Sequence, residues 1–351
     1  MKQVLFYNTG FVKQVMVQEP EILDGYITDN KLFHFYDKHK MNLNNVYDRT
    51  GNVPHYLNMK PGLLPIPTVD ASFNKSFRDI VKERCEELLS LGKRINVVWS
   101  GGIDSTLVLF ALIHHAKDPS LITVYGTYNS VMECGELFDK YILPTGVKHK
   151  IRISAKRDFD DCSDDEIFVT GFFGNQLFGP TDDFTSNKIK TDVSFFHHQF
   201  SGDPLDDYTK YIDPELLQFL QPCIDASPKK IETLRDMRWW FIFNLDWYTA
   251  EYSSKVSTSQ INNQYHFFGT DDFQRYVIST KEPFTKVVGN SLTHRWVMRE
   301  LIEEFSGDSY YAWNKPKGVS NLGNPTPTWL LLLEDYSLFN LPKSAFINRK
   351  R

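Results

Sequence analysis

Ile95-Asn96-Val97-Val98-Trp99-Ser100-Gly101-Gly102-Ile103-Asp104-Ser105-Thr106-Leu107-Val108-Leu109-Phe110-Ala111-Leu112-Ile113 reads as a buried strand, a loop with two adjacent glycines and an apolar helix. The polar loop breaks the apolar run well short of membrane-spanning length, so strand and helix must both find cover inside a soluble core. Further strand candidates follow at α/β intervals: Leu121-Ile122-Thr123-Val124-Tyr125-Gly126-Thr127, then Lys150-Ile151-Arg152-Ile153, then Ile167-Phe168-Val169-Thr170 running into Gly171. Strands that alternate with helices and are themselves nearly all apolar predict an α/β fold, a parallel sheet with helices on both faces.

Upstream, Phe77, Ile80, Val81, Cys85, Leu88 and Leu89 fall at helical spacing, with Asp70 or Asn74 available to cap the start and Gly92 to end it. Residues 1–70 read instead as short strands and turns: Val4-Leu5-Phe6-Tyr7, Gly25-Tyr26-Ile27-Thr28 and Leu32-Phe33-His34-Phe35-Tyr36. A Pro-rich stretch at 59–67 looks like a linker, so the expected organisation is a small β-rich N-terminal appendage over 1–70 and one domain over 71–340. Beyond about residue 185 the pattern becomes mostly helical, with helices expected over 231–248 and 292–305, and 341–351 forms a short basic tail.

The 351 residues carry 39 Lys+Arg against 44 Asp+Glu, a net charge of −5, which argues against a generic grip on nucleic-acid phosphates. Cys85, Cys134, Cys162 and Cys223 are scattered, without the spacing of a zinc module or a disulfide scaffold. No leader-like apolar segment and no run of about 18 apolar residues is present, so the expectation is a soluble, cytoplasmic protein without a membrane partner.

A loop between a parallel strand and a helix is a natural anion site, because the unpaired N–H groups and positive dipole end of the first helical turn face the crevice. Gly101 and Gly102 let the backbone approach a phosphate closely, and the hydroxyls of Ser100, Ser105 and Thr106 add donors. The loop lacks the lysine of a Walker motif. It resembles instead the SGGxDS loop of the PP-loop ATP pyrophosphatases, of adenine nucleotide alpha hydrolase-like fold, which cleave ATP between the α- and β-phosphates. That resemblance implies ATP and Mg²⁺ as cofactors and makes Asp104 a metal ligand.

Thr170-Gly171-Phe172-Phe173-Gly174-Asn175-Gln176-Leu177-Phe178-Gly179 resembles the S-G-x-G-[GA]-D-E-L-F-G segment of the asparagine synthetase synthetase domain. Arg295-Trp296-Val297-Met298-Arg299 looks like that family's K-x-x-L-R helix, and Trp313-Asn314-Lys315-Pro316-Lys317-Gly318 like its lysine-containing loop. The resemblance spans about residues 70–320. It implies ATP-dependent activation of a small-molecule carboxylate to an acyl-adenylate, then transfer to ammonia or an amine. Gly171 and Gly174 join the nucleotide cradle, Gly126 lies where the adenine would pack, Asn175 takes the second metal position, and Lys317 or its neighbour Lys315 faces the departing pyrophosphate.

The sequence departs from the family at four points. Asn175 and Gln176 replace two acidic residues, and an amide oxygen is a weak ligand for a hard cation. Asn262-Asn263-Gln264-Tyr265-His266-Phe267-Phe268 lacks the family's amine-deprotonating Glu, leaving His266 or another group for that task. Arg295 stands where a lysine is usual. The first cysteine is Cys85, so no thiol near Lys2 heads a glutaminase domain, and glutamine hydrolysis is not expected. Two other readings compete: a degenerate synthetase that only binds nucleotide, and a PP-loop enzyme acting on a nucleobase or tRNA.

Overall fold

The computed structural model describes residues 2–7, 23–41, 46–152, 163–179, 212–252, 262–280, 285–288, 291–315, 330–333 and 338–340. Its contacts divide the chain into two units: Pro67–Thr181 with Ser257–Pro325, and Met1–Ile66 with Asp182–Val256 and Thr326–Arg351. The chain first passes between them inside the Pro-rich stretch. The sequence reading kept 71–340 together, whereas the contacts give 182–256 and the last segment to the unit that holds the N-terminus.

The unit that begins at Pro67 is built on strand β1 (Arg94–Trp99), β2 (Ile122–Thr127), β3 (Lys148–Arg152), β4 (Glu166–Thr170) and β5 (Gln264–His266). They form one all-parallel sheet in the order β3-β2-β1-β4-β5. Side chains alternate between faces along a strand, yet β1 and β4 are buried at every position after the first, so both faces of the sheet centre are covered. At the edge, β3 is mostly exposed and carries Lys148, Lys150 and Arg152, which corrects the expectation that every strand is apolar. The sequence reading had no counterpart to β5, whose three residues pair Gln264 with Phe168 and His266 with Thr170.

Helix α1 (Phe77–Ser90) is started by a capping box between Ser76 and Asp79, not by Asp70 or Asn74; Asp70 instead holds a turn by accepting from the Ser72 amide at 2.9 Å. Its buried Arg84 donates to the carbonyls of His266 (3.3 Å) and Phe267 (3.2 Å), tying the helix to the end of β5. Helix α2 (Ile103–His115) is the apolar helix read from the sequence, and its first eight residues after Asp104 are all buried. The continuous helix expected over 292–305 does not form. Ser291–His294 is a strand paired antiparallel to Thr285–Val288, and the helical run begins only at Trp296, after Arg295 takes a left-handed conformation with φ of 55°.

In the other unit, Val4–Tyr7 pairs antiparallel with Leu330–Leu333, which pairs in turn with Leu338–Asn340. Leu32-Phe33-His34-Phe35-Tyr36 belongs to the helix Asn30–Lys38, not to a strand: Asp29 caps it by accepting from Lys31 (2.7 Å) and Leu32 (3.3 Å) amides, and Phe33 and Tyr36 are the buried pair at i, i+3. Residues 25–28 form a turn with a single bridge between Ile27 and Leu57. Buried Asp48 explains why residues 46–53 join residues 234–252, since it accepts from the Asn52 amide (2.9 Å), the Val53 amide (2.8 Å) and Asn244 Nδ2 (2.6 Å). The neighbouring Arg49 lies 4.2 Å over the Trp247 ring. Among the described residues no helix is long and apolar enough to cross a membrane.

His55 packs among Tyr7, Tyr36, Tyr47 and Tyr56, and its Nδ1 accepts the Leu57 amide at 3.0 Å, which requires a neutral ring. Burial lowers its pKa from 6.5 to about 3. The unfolded chain therefore takes up the proton first, and stability falls as pH drops from 6.5 towards 3, by up to about 1.4 kcal/mol per unit. Thermal melts between pH 7.5 and 4.5 are expected to show a shallower acid-side loss for His55→Asn than for the parent chain.

Candidate functional site

The strand order reverses beside β1: β2 and β3 lie to one side, β4 and β5 to the other. A crevice outside the carboxyl ends of β1 and β4 is where open parallel sheets bind ligands. Both glycine-bearing loops lie there, one leading from β1 into α2 and one leading from β4 into the short helix α3 (Gly174–Phe178).

The first loop is held by its own hydroxyls. Ser105 Oγ accepts the Ser100 amide (3.1 Å), lies 3.0 Å from Ser100 Oγ and donates to the Gly102 carbonyl (3.2 Å). Gly101 has φ of +78°, and a Cβ there would stand 3.0 Å from Cys134 Sγ and 3.2 Å from the Ser130 carbonyl. Gly102 occupies the N-cap of α2, where no side-chain cap hydrogen bond is made among the described residues. From behind, Tyr311 OH (2.8 Å) and Cys134 Sγ (3.2 Å) both donate to the Gly101 carbonyl. Thr106 Oγ1 accepts the Trp99 indole N–H at 3.0 Å and meets Tyr311 OH at 2.8 Å, so Thr106 braces the loop from inside the core.

The second loop is pressed onto the first. A Cβ on Gly171 would stand 2.7 Å from the Ser105 nitrogen, and one on Gly174 would stand 2.6 Å from both Asp104 carboxylate oxygens. Between these glycines Phe173 takes φ of +78° while buried, edge-on to His266 with ring centroids 5.2 Å apart. Bulky residues rarely adopt that backbone, and such strain concentrates at functional positions. The carboxylate of Asp104 receives Arg295 Nη1 on both oxygens, at 2.6 Å to Oδ2, and Arg295 Nη2 donates to Asn175 Oδ1. The Arg295 side chain is only 8% exposed, and its Nε has no hydrogen-bond partner among the described residues.

No protein-family model matches this chain, and no curated protein matches it in sequence.

The sequence-derived residues fare differently. Ser100, Gly101, Gly102, Asp104, Ser105, Gly171, Gly174 and Asn175 come together at the crevice. Gly126 sits at the end of β2 in register with Trp99 and Ile151, and a Cβ there would stand 3.1 Å from Ile151 Cδ1, so packing alone accounts for the glycine. His266 is buried at the end of β5 with Nδ1 2.7 Å from Thr170 Oγ1. Lys315 is 5% exposed and paired to Glu133 beside Cys134, whose thiol is raised by burial and partly lowered again by that ammonium. Lys317 lies outside the described residues, as do Cys162 and residues 341–351. Phe173, Tyr311, Cys134 and Glu133 were not singled out as site residues from the sequence; a bulky residue between two motif glycines was the only local signal, and it concerned Phe173 alone.

The two glycines give a graded prediction. Gly171→Ala drives a Cβ into backbone and is expected to cost about 1–3 kcal/mol by thermal or urea melts. Gly174→Ala meets a side chain that can shift, so it should cost less but displace Asp104. Gly62→Ala, with nothing within 4 Å of the added Cβ, should stay within about 0.5 kcal/mol.

Proposed function

We propose that the crevice binds the phosphates of ATP and that the protein is an AMP-forming carbon–nitrogen ligase of asparagine synthetase-like, PP-loop type. The observation that carries this reading is the uncapped first turn of α2, facing the switch point of a parallel sheet behind a Ser-Gly-Gly loop whose backbone is locked on its far side. In the reaction so proposed, a substrate carboxylate oxygen attacks the α-phosphorus and pyrophosphate leaves. The amine nitrogen then attacks the acyl carbon, AMP leaves with the bonding electron pair, and the amine proton passes to a base. Amides of the α2 turn are suited to the charge that develops on the departing pyrophosphate.

The residues present fit the nucleotide but not a divalent cation between Asp104 and Asn175. Both carboxylate oxygens and the amide oxygen are already taken by Arg295, and Gly174 lies against the carboxylate, where Mg²⁺ with its retained waters would need room. No step is therefore routed through a metal at this position. The burial of Lys315 in its pair with Glu133 favours a second reading, a nucleotide-binding module that forms no amide, because that lysine is committed to bracing Cys134 and the loop.

One assay separates the readings. ATP, ammonia and a panel of amino-acid carboxylates, with and without Mg²⁺, are expected to yield AMP and pyrophosphate in equal amounts, and Asp104→Ala, which releases one side of the Arg295 guanidinium, to lower the yield. Calorimetric ATP binding with no AMP from any carboxylate would establish the binding module, and absence of ATP binding would exclude both readings.

A further inference from the structure

We infer that Arg295 is the resident cation of the phosphate site, binding a nucleotide phosphate oxygen through its Nε so that ATP is held without a divalent metal. This rests on the proposed nucleotide reading and adds to it the identity of the charge that receives the phosphates.

Three independent features of Arg295 lead there. Its guanidinium occupies the space between Asp104 and Asn175, donating to both carboxylate oxygens of the one and to the amide oxygen of the other, and fixes its plane by using both terminal nitrogens. A planar fork held at two corners presents its Nε–H in a fixed direction, which a flexible lysine ammonium cannot do. The Nε is buried without an acceptor among the described residues, on a side chain that is 8% exposed. Buried donors are nearly always satisfied, and one left open on a cation beside an anion-binding helix start calls for an anionic oxygen. Finally, the backbone of Arg295 is itself left-handed at φ 55°, the turn by which the chain leaves the strand Ser291–His294 and starts the next helix. Positive φ is uncommon for a long side chain, and here it accompanies the placement of the guanidinium in the crevice.

Charge balance points the same way. A bare Asp104 carboxylate at the mouth of an anion site would repel phosphate, and the groups that meet it from the packed elements are Arg295 and the neutral Asn175, with Arg299 one helical turn further on. Arg295 cancels the carboxylate and still offers a donor, while the amides of the α2 turn supply the rest. A guanidinium fixed in this way provides what a bound cation would, without the waters that Mg²⁺ retains.

The test is calorimetry of the full chain with ATP, and with inorganic pyrophosphate, in 5 mM-scale EDTA (about the excess needed to strip divalent ions) and again in MgCl₂. Removing the metal is expected to change ATP affinity by less than about threefold, and Arg295→Ala to weaken it in EDTA by about ten- to a hundredfold, the loss of one charge-assisted contact. Arg295→Lys should recover only part of the affinity, since the fork is lost. In the parent protein the arginine Nε–H resonance that disappears in Arg295→Lys should shift when ATP is added. Loss of ATP binding in EDTA by tenfold or more, with tight binding restored by Mg²⁺, would overturn this inference while leaving the nucleotide reading intact. Equal affinity of Arg295→Ala and the parent in EDTA would overturn it as well. No ATP binding under either condition would remove the nucleotide reading itself. The EDTA comparison uses the unaltered chain, so the outcome does not depend on how well the variants fold.

Discussion

Gly171 brings its Cα so close to the first turn of α2 that a Cβ would stand 2.7 Å from the Ser105 nitrogen and 2.9 Å from the Asp104 carbonyl carbon, and this backbone contact sets the spacing of the two loops. It follows from the sheet. β1 and β4 are hydrogen-bonded neighbours in parallel register, Val98 opposite Thr170, so their carboxyl ends emerge side by side. A side chain at Gly171 would wedge the loops apart, and Asp104 and Asn175 would no longer converge on one guanidinium. The electrostatics of the site therefore depend on a steric condition met by residues without a Cβ, Gly171 against the backbone and Gly174 against the Asp104 carboxylate.

The Asp104 to Arg295 pair sits at an intermediate depth, with the carboxylate 21% exposed and the guanidinium 8%. Desolvation of the arginine is compensated by two acceptors, whereas its Nε is not compensated by any described residue. Two bulky residues of the site, Phe173 in the second loop and Arg295 itself, take left-handed backbone, and each costs of order 1–3 kcal/mol. Strain of this kind persists only where surrounding packing imposes it. Phe173 is pinned against Gly269, where a Cβ would meet its ring at 2.9 Å, so the second loop is held in its conformation by the residues that follow β5.

How much of this was legible from the sequence depends on the range of the interactions concerned. The run from Ile95 to Ile113 announced a strand, a glycine-bearing turn and a helix because each rests on local spacing, and the strand and the helix form where expected. Leu32 to Tyr36 was misread because Leu-Phe-His-Phe-Tyr is compatible with two periods, and what decided for helix was the Asp29 cap together with burial of Phe33 and Tyr36 on one side. The three residues of β5 carry too little pattern to announce a strand; they become one by pairing with β4. The discontinuous unit was out of reach for the same reason, since Asp48 and Asn244 are 196 positions apart and nothing in either segment names the other. Arg295 could be noticed as an unusual residue at its position, but its grip on Asp104 and Asn175 exists only once α2, α3 and the preceding hairpin are assembled.

The rear of the first loop bears on what the crevice can do. The Gly101 carbonyl is the acceptor for Tyr311 OH and Cys134 Sγ, and Tyr311 OH also meets Thr106, whose hydroxyl receives the Trp99 indole. These partners come from β1, from α2, from the segment after β2 and from the helix Ser309–Asn314, so four elements fix one peptide plane. An oriented carbonyl on the core side obliges the peptide's amide, that of Gly102, to face the opposite way, where it donates to Ser100 Oγ at 3.3 Å. Donors aimed before the ligand arrives need no reorganisation when charge develops in front of them. Lys315, set beside Cys134 and paired to Glu133, adds its charge to the bracing side of the loop. Its burial thus acts on the loop through the rigidity of Gly101, while the cation set against Asp104 and Asn175 is Arg295.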